Sequence, residues 1–294
     1  MNKIYLKARA KINLSLEILN KREDNYHNIK SVFQKINLYD EIYIEKNNTN
    51  KFELETNIKD LNNSDNIIYK AYLILKEKYI NISGIKVVLN KKIPMQAGLG
   101  GGSTDCSSFI LGINKLFNLN MSKYTIESIG KSLGADVIPC FYNKAVLAEG
   151  IGDKIIPINT NFKYYIVVIK PNINFNTKKM YALLDAKPQV QNLDLSDKII
   201  TGLQSNNIEL ISANLYNTFE SLQTENDLIK KIKVELVKNG ALGSLMTGSG
   251  SCVFGIFKNK QTAKEAYQKL KSNYETYICT SYNKKETKNL FIHL

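Results

Sequence analysis

The 294-residue chain contains no run of about 18 apolar residues, the length that a helix needs to cross a bilayer. Its first residues, Met1 to Arg9, hold no apolar core of the signal-peptide kind. These absences predict a cytoplasmic protein with no membrane partner. Cysteine is sparse: Cys106, Cys140, Cys252 and Cys279 lie far apart without a C-x-x-C pair. That excludes a disulfide framework or structural zinc and predicts reduced, buried thiols. Cys106 opens an apolar helical stretch, where a thiolate is favoured, but neither of the two histidines is near it in sequence, so no cysteine nucleophile is expected. Well-known nucleotide signatures are missing too. The glycine-rich stretch Pro94 to Asp105 has no lysine after its glycines, which excludes G-x-x-x-x-G-K-[ST]. Gly98-Leu99-Gly100 is followed by Ser103 where G-x-G-x-x-G requires a third glycine. No H-R-D or D-F-G occurs, which excludes the protein-kinase set.

What is present in that stretch is dense. Gly98 and Gly100 to Gly102 are followed at once by Ser103, Thr104 and Asp105. A strand-like run, Ile85 to Leu89, precedes it, and an apolar helix from Cys106 to Phe117 follows. Glycines let backbone amides approach an anion closely, and a helix start adds free N–H groups and the positive dipole end. The combination predicts a phosphate site of Pro94, Met95, Gln96, Ala97, Gly98, Leu99, Gly100, Gly101, Gly102, Ser103 and Thr104. The plain alternative is a flexible linker or a glycine hairpin, against which stand the strand before it and the helix after it.

The net charge is +13, which admits nucleic acid or an anionic membrane as partner. The basic residues are scattered, however, and Lys230-Lys231 and Lys284-Lys285 are the densest blocks. Attraction of polyphosphate substrates suffices, and no nucleic-acid partner is expected.

Alternation and turn residues predict strands over Ile4 to Ala10, Ile12 to Leu19, Ile29 to Ile36, Asp40 to Glu45, Ala145 to Glu149, Tyr164 to Ile169 and Val253 to Phe257. Helices are expected from Ile67 to Tyr79 with Ser64-Asp65 as cap, from Ser122 to Leu133, from Asn176 to Leu184, over Leu193 to Ile211, over Leu228 to Asn239 and from Thr262 to Tyr274. Strands and helices mix without strict βαβ repetition, which is an α+β pattern. A boundary near 155–165 gives two domains, 1–160 and 161–294.

Three separated segments, Ala8 to Leu14, Pro94 to Asp105, and Leu242 to Phe257 with a second glycine loop, resemble the GHMP small-molecule kinases. The resemblance spans nearly the whole chain. It implies a ribosomal-protein-S5-like N-terminal domain, a ferredoxin-like α/β C-terminal domain and an active site in the cleft between them. It also implies ATP and Mg²⁺. Ala10 to Leu14, Asp24-Asn25-Tyr26-His27, Gly134-Ala135-Asp136-Val137 and Glu149-Gly150 are similar to the members acting on 4-diphosphocytidyl-2-C-methyl-D-erythritol. That likeness implies transfer of the γ-phosphate to the tertiary 2-hydroxyl, in the non-mevalonate isoprenoid route. Gln96 stands where the family often has glycine, Thr104 where serine is common, and Ala8-Arg9-Ala10 lacks a preceding proline.

Phosphoryl transfer needs positioning, charge neutralisation and a destination for the alcohol proton. The resemblance implies Asp136 as catalytic base with Lys11 beside it. A carboxylate between apolar runs must be satisfied or functional; the competing reading of Asp136 is a helix N-cap. A lysine between apolar strand residues would hold that carboxylate ionised; its competing reading is an edge-strand guard. Ser103 and Thr104 offer hydroxyls to phosphate or Mg²⁺, or simply cap the helix. For the acceptor the resemblance implies Asn13, Tyr26, His27 and Asp136, with Tyr26 stacking on a pyrimidine and His27 bonding its polar edge. Phe175 is a candidate for the opposite stacking face, and Ser249 and Gly250 for the buttress of the nucleotide loop. Another GHMP kinase acting on mevalonate or homoserine, a non-catalytic nucleotide binder, and a basic nucleic-acid binder stay open at this point, as do monomer and homodimer.

Overall fold

The computed structural model describes residues 1–186, 194–222 and 227–283, so the start of the expected helix at Leu193 and the Lys284-Lys285 pair lie outside the described residues. Two long strands, β1 (Lys3–Lys21) and β2 (His27–Lys46), pair antiparallel and form the spine of the first sheet. Each was expected as two shorter strands. Register shifts rather than breaks separate the halves, at Arg9/Lys11, Asn13/Ser15 and Ile18/Lys21. Such irregularities bend a strand without ending it. Alternation sends Ala8, Ala10, Ile12 and Leu14 into the interior, where all four are fully buried.

β3 (Phe52–Thr56) and β4 (Ile85–Asn90) pair parallel and are joined by α1 (Ile67–Lys78). Asn66, rather than Ser64-Asp65, caps α1: its Oδ1 accepts from Ile68 N at 2.9 Å while its Nδ2 donates to Leu61 O. An amide does both tasks where a carboxylate or hydroxyl would do one. Next come α2 (Gly101–Leu116), α3 (Lys123–Leu133, capped by Ser122 as expected), the single-turn α4 (Val137–Cys140), β5 (Val146–Gly150) and β6 (Lys154–Pro157). The sheet order is β3-β4-β2-β1-β8, with β5 pairing β2 and β6 pairing β5. Its last strand, β8 (Tyr216–Asn217), comes from the second half of the chain and lies parallel to Ser15-Leu16 of β1.

The second sheet is fully antiparallel, in the order β11-β7-β10-β9, from β7 (Tyr165–Lys170), β9 (Gly243–Met246), β10 (Val253–Phe257) and β11 (Glu275–Thr280). Around it run α5 (Thr177–Asp185), α6 (Leu195–Gln204), α7 (Ile208–Ala213), α8 (Leu228–Lys238) and α9 (Lys260–Leu270). The helix expected to reach Ile211 is therefore two. Ser205-Asn206-Asn207 interrupts it, with Asn206 at φ +56° and Asn207 capping α7 through Leu210 N. Asn tolerates the left-handed region and competes for backbone donors, so this tripeptide stops one helix and starts another. The helix expected to reach Tyr274 ends at Leu270, and β11 follows as an edge strand whose side chains, mostly half-buried, carry no clear alternation.

Two of the three apolar clusters are shared by both halves. One joins Ala10, Ile12 and Leu14 to Ile166, Val168 and Phe254; another joins Leu16, Ile18 and Ile29 to Val167, Met246 and Phe257. Helix α6 is docked on β1 by its N-terminus: Ser196 N and Ser196 Oγ both donate to the buried Glu17 Oε1, at 3.0 and 2.5 Å. A carboxylate there meets the positive end of the helix dipole. Among the described residues no helix is long and apolar enough to cross a membrane.

Candidate active site

The glycine loop folds against the second glycine loop, and this contact decides where glycine is needed. Gly98 has φ +72°, and a Cβ there would lie 2.0 Å from Thr247 O. Gly100 has φ +67°, and a Cβ there would press on the Lys11 stem at 3.0 Å. Gln96 also sits left-handed, at φ +51°, which accounts for glycine being the easier residue at that position. Helix α2 begins at Gly101, inside the glycine run rather than after it. The first turn of a helix leaves its N–H groups without intrahelical partners, so Gly101, Gly102 and Ser103 present donors. Residues Pro94 to Ser103 line a cavity of about 470 Å³. A Cβ on Gly102 would meet nothing within 4 Å, so this turn is open to a ligand.

Thr104 departs from the expectation. Its hydroxyl donates to Arg9 O at 2.7 Å and accepts from the buried Lys35 Nζ at 2.9 Å. The helical turn points residue 104 back to the sheet while 101 to 103 face the cavity. Below the same turn lies a buried triad that sequence reasoning missed. Lys91 Nζ bonds both Asp40 and Asp105, the latter at 2.6 Å, and Asp40 Oδ1 also accepts from Lys92 N and Ile93 N. Burial raises the Asp105 pKa well above the ordinary carboxylate value, and the neighbouring Asp40 adds to the shift. The signal available was slight: a lysine at the end of β4 and a carboxylate just inside α2. Cys106 is buried and its thiol pKa is pushed up by burial, which suits an inert core residue.

On the other side of the loop a second cavity, of about 640 Å³, is lined by Lys11, Asn13, Asp136, Phe175, Tyr181 and the Gly248–Gly250 segment, among others. Gln96, Gly98 and Gly100 line both cavities, so the loop is the wall between them. Lys11 reaches this wall because the β1 irregularity releases its N–H from the ladder to bond Leu99 O at 3.0 Å. Its ammonium donates to Asn13 Oδ1 at 2.7 Å and lies 4.9 Å from the Phe33 ring centre. Burial lowers the Lys11 pKa, and Asp136 opposes that shift by favouring the charged form. Asp136 does occupy the N-cap position of α4, but its side chain makes no capping bond and instead lines the cavity. Phe175 lines the same cavity and packs against Gly250. Ser249 pairs its hydroxyl with that of Thr177 at 2.8 Å.

Tyr26 and His27 part company. The His27 side chain is inside, stacked on Tyr181 at 4.8 Å between ring centres, with Nε2 2.6 Å from Asp185 Oδ1. Tyr26 is 57% exposed and lines a different cavity with Arg22, Lys131 and Gly134-Ala135. Successive residues of extended chain point to opposite sides, so only one of the pair reaches Tyr181. Tyr181 itself, Asp185 and Thr247 were not expected. Among the described residues no group of three or more His, Cys, Asp or Glu is arranged to hold a metal ion.

The chain matches the model of the GHMP kinases N terminal domain over residues 66–144 and that of the GHMP kinases C terminal over 199–276. It is 38% identical over 287 residues to a 4-diphosphocytidyl-2-C-methyl-D-erythritol kinase of Alkaliphilus oremlandii, covering 96% of this chain and 98% of that one. It is 39% identical to the kinase of the same name from Acetivibrio thermocellus, over 95% of this chain and 99% of that one. Among solved structures, one of 4-(cytidine 5'-diphospho)-2C-methyl-D-erythritol kinase superposes with a TM-score of 0.81 at 25% identity, covering 96% and 100% of the two chains. A homoserine kinase from Cytophaga hutchinsonii shares the fold, with a TM-score of 0.73 at 20% identity over 96% and 95%. Two cavities divided by a glycine loop, and relatives matched along almost their full length, lead to one assignment: the chain belongs to the GHMP kinases, in the 4-diphosphocytidyl-2-C-methyl-D-erythritol kinase family.

Proposed function

We propose that the enzyme transfers the γ-phosphoryl group of ATP to the tertiary 2-hydroxyl of 4-diphosphocytidyl-2-C-methyl-D-erythritol. The observation that carries this reading is the placement of Lys11 and Asp136 in the acceptor cavity, against the loop that also walls the nucleotide cavity. ATP phosphates lie on the N–H groups of Gly101 to Ser103. The acceptor hydroxyl enters from the opposite side, near Asp136. Its oxygen forms a bond to the γ-phosphorus as the bond to the bridging oxygen of ADP breaks, and its proton goes to the Asp136 carboxylate. The Lys11 ammonium, lining the same cavity as Asp136, offsets charge on the phosphoryl group in flight. Little covalent work falls to the protein, since a loose transition state is served mainly by positioning.

The residues present would suit a Mg²⁺ ion brought by the nucleotide, because such an ion needs only one or two protein oxygens. Ser103 is the residue that would hold it, Thr104 being turned inward. Bound there, the ion would neutralise phosphate charge. The pyrimidine of the acceptor rests in the aromatic part of the cavity, on Tyr181 backed by His27, with Phe175 opposite. The reading carries with it a cytoplasmic enzyme of two domains, 1–160 and 161–294, whose partners are small molecules and which acts as a monomer or homodimer. The test is ADP release with the cytidyl-erythritol acceptor set against mevalonate and homoserine. Turnover with the first and background with the others is expected; comparable turnover with mevalonate or homoserine overturns the acceptor assignment.

A further inference from the structure

Asn13 makes a hydrogen bond with each end of its amide, and the two ends are not equivalent. Oδ1 accepts from Lys11 Nζ at 2.7 Å and lies 3.2 Å from Thr247 Oγ1. Nδ2 donates to Ser31 Oγ at 2.9 Å. Ser31 is fully buried on β2, and its own proton is spent on the Ser15 carbonyl at 2.5 Å. A hydroxyl has one proton, so Ser31 can only accept from Asn13. A separate ordered row starts at the Ser15 hydroxyl. Ser196 Oγ donates to Glu17, so it accepts from Ser15 Oγ at 2.8 Å, and Ser15 Oγ in turn accepts from Val32 N. Asn13, Ser15, Glu17, Ser31 and Ser196 are all at least 98% buried.

We propose that Ser31 is a positioning residue for the phosphoryl transfer: by offering Asn13 only a lone pair, its hydroxyl makes the amide turn its oxygen to Lys11. With the amide reversed, an NH₂ group would face the ammonium and Lys11 would lose its nearest hydrogen-bond acceptor. This rests on the reading of Lys11 given above. The other groups felt by Lys11 are Asp136 and Cys140 of the α4 segment and Lys35 of β2, and Ser31 hydrogen-bonds none of them, its partners being Asn13 and the Ser15 carbonyl. A hydrogen bond from an ammonium favours its charged form, so loss of the correctly turned amide lets Lys11 lose its proton at lower pH.

The experiment is Ser31→Ala, which removes one atom, with Ser31→Thr as the variant that keeps the hydroxyl. Lys11 is titrated in the ligand-free enzyme by NMR of its side-chain carbon, and kcat is measured against pH. In Ser31→Ala the Lys11 titration is expected to fall by about half a unit to one unit. The alkaline limb of kcat moves with it, kcat drops roughly tenfold and the KM for ATP stays within about twofold. Ser31→Thr restores both where its methyl is accommodated; Ser31→Ala decides the matter by itself where it is not. An unchanged Lys11 titration in Ser31→Ala overturns the proposal whatever happens to turnover, and so does a shifted titration with unaltered kcat. Lys11→Met separates this from failure of the functional reading. Normal turnover in that variant removes Lys11 from the chemistry, while the titration still reports whether Ser31 sets the amide.

Discussion

The two cavities that meet at the glycine loop are built by opposite means. On the nucleotide side, ten consecutive residues from Pro94 to Ser103 line the cavity, and the donors are backbone N–H groups at the start of α2. On the acceptor side, Lys11 comes from β1, Asp136 from the turn before α4, Tyr181 from α5 and Gly250 from the loop between β9 and β10. A site made of backbone needs unusual dihedral angles, and those restrict residue type. A site made of side chains needs only that distant strands and helices converge. The first kind leaves a local sequence pattern; the second leaves single residues that have ordinary alternatives.

The comparison is broken most directly at Asp136. If the acceptor side does chemistry and the loop only holds phosphates, Asp136→Asn should reduce kcat by roughly 10²–10⁴, the usual contribution of a positioned proton acceptor. The KM for ATP should stay within about twofold of wild type, because the carboxylate lies on the far side of the wall. Steady-state kinetics in both substrates reads this. A kcat within a few-fold of wild type removes Asp136 from proton transfer, and a loss confined to ATP binding shows that the wall does not divide the two roles.

The next effect is on stability, and it concerns what lies beneath the loop. Lys91 holds Asp40 and Asp105 together in the interior. Removing one partner of a buried ion pair typically costs about 3–5 kcal/mol, so Lys91→Met should lower the unfolding free energy by an amount of that order in urea titrations. The sign of its pH dependence follows from Asp105, whose pKa is raised in the folded state by burial and by Asp40. A raised carboxylate binds its proton more tightly when folded, so stability falls as pH rises through the folded pKa. Without Lys91 that pKa rises further, and the variant should be less destabilised at pH 5 than at pH 8. Equal destabilisation at both values means that Asp105 does not carry the penalty.

This division also marks how far the sequence could be read. Gly98, Gly100 and the hydroxyls after them announce an anion site because few residues other than glycine adopt φ near +70° beside a packed neighbour. Long strands with small or apolar inward residues were legible too, although Ile4 to Leu19 was divided where a register shift, invisible in composition, keeps one strand going. Thr104 could not be told from Ser103, because which hydroxyl faces out depends on where within the glycines the helix begins, and α2 begins at Gly101. Lys91 read as one more scattered cation; its two carboxylates stand 51 and 14 residues away in the chain. Tyr181 carried no signal at all, since an aromatic on an amphipathic helix is ordinarily core.

Tyr26 and His27 give the finest cut between the two ways of building a site. Adjacency in sequence pairs them, while extended geometry separates them: the His27 ring lies on Tyr181, and Tyr26 turns into the cavity beside Arg22 and Lys131. His27 also draws Asp185 to 2.6 Å, and Lys21 bonds the other oxygen of that carboxylate at 2.7 Å, so the imidazole fixes the end of α5 on which Tyr181 stands. Removing it loosens the surface on which the pyrimidine is proposed to rest. An aromatic contact is worth about 0.5–1.5 kcal/mol, so His27→Ala should raise the KM for the acceptor by roughly two- to tenfold. Tyr26→Ala should change it by less than about twofold, and neither should alter the KM for ATP. If the two substitutions raise the acceptor KM equally, Tyr26 swings into the acceptor cavity when substrate is bound, and the dispersed half of the site is assembled by the ligand rather than by the fold.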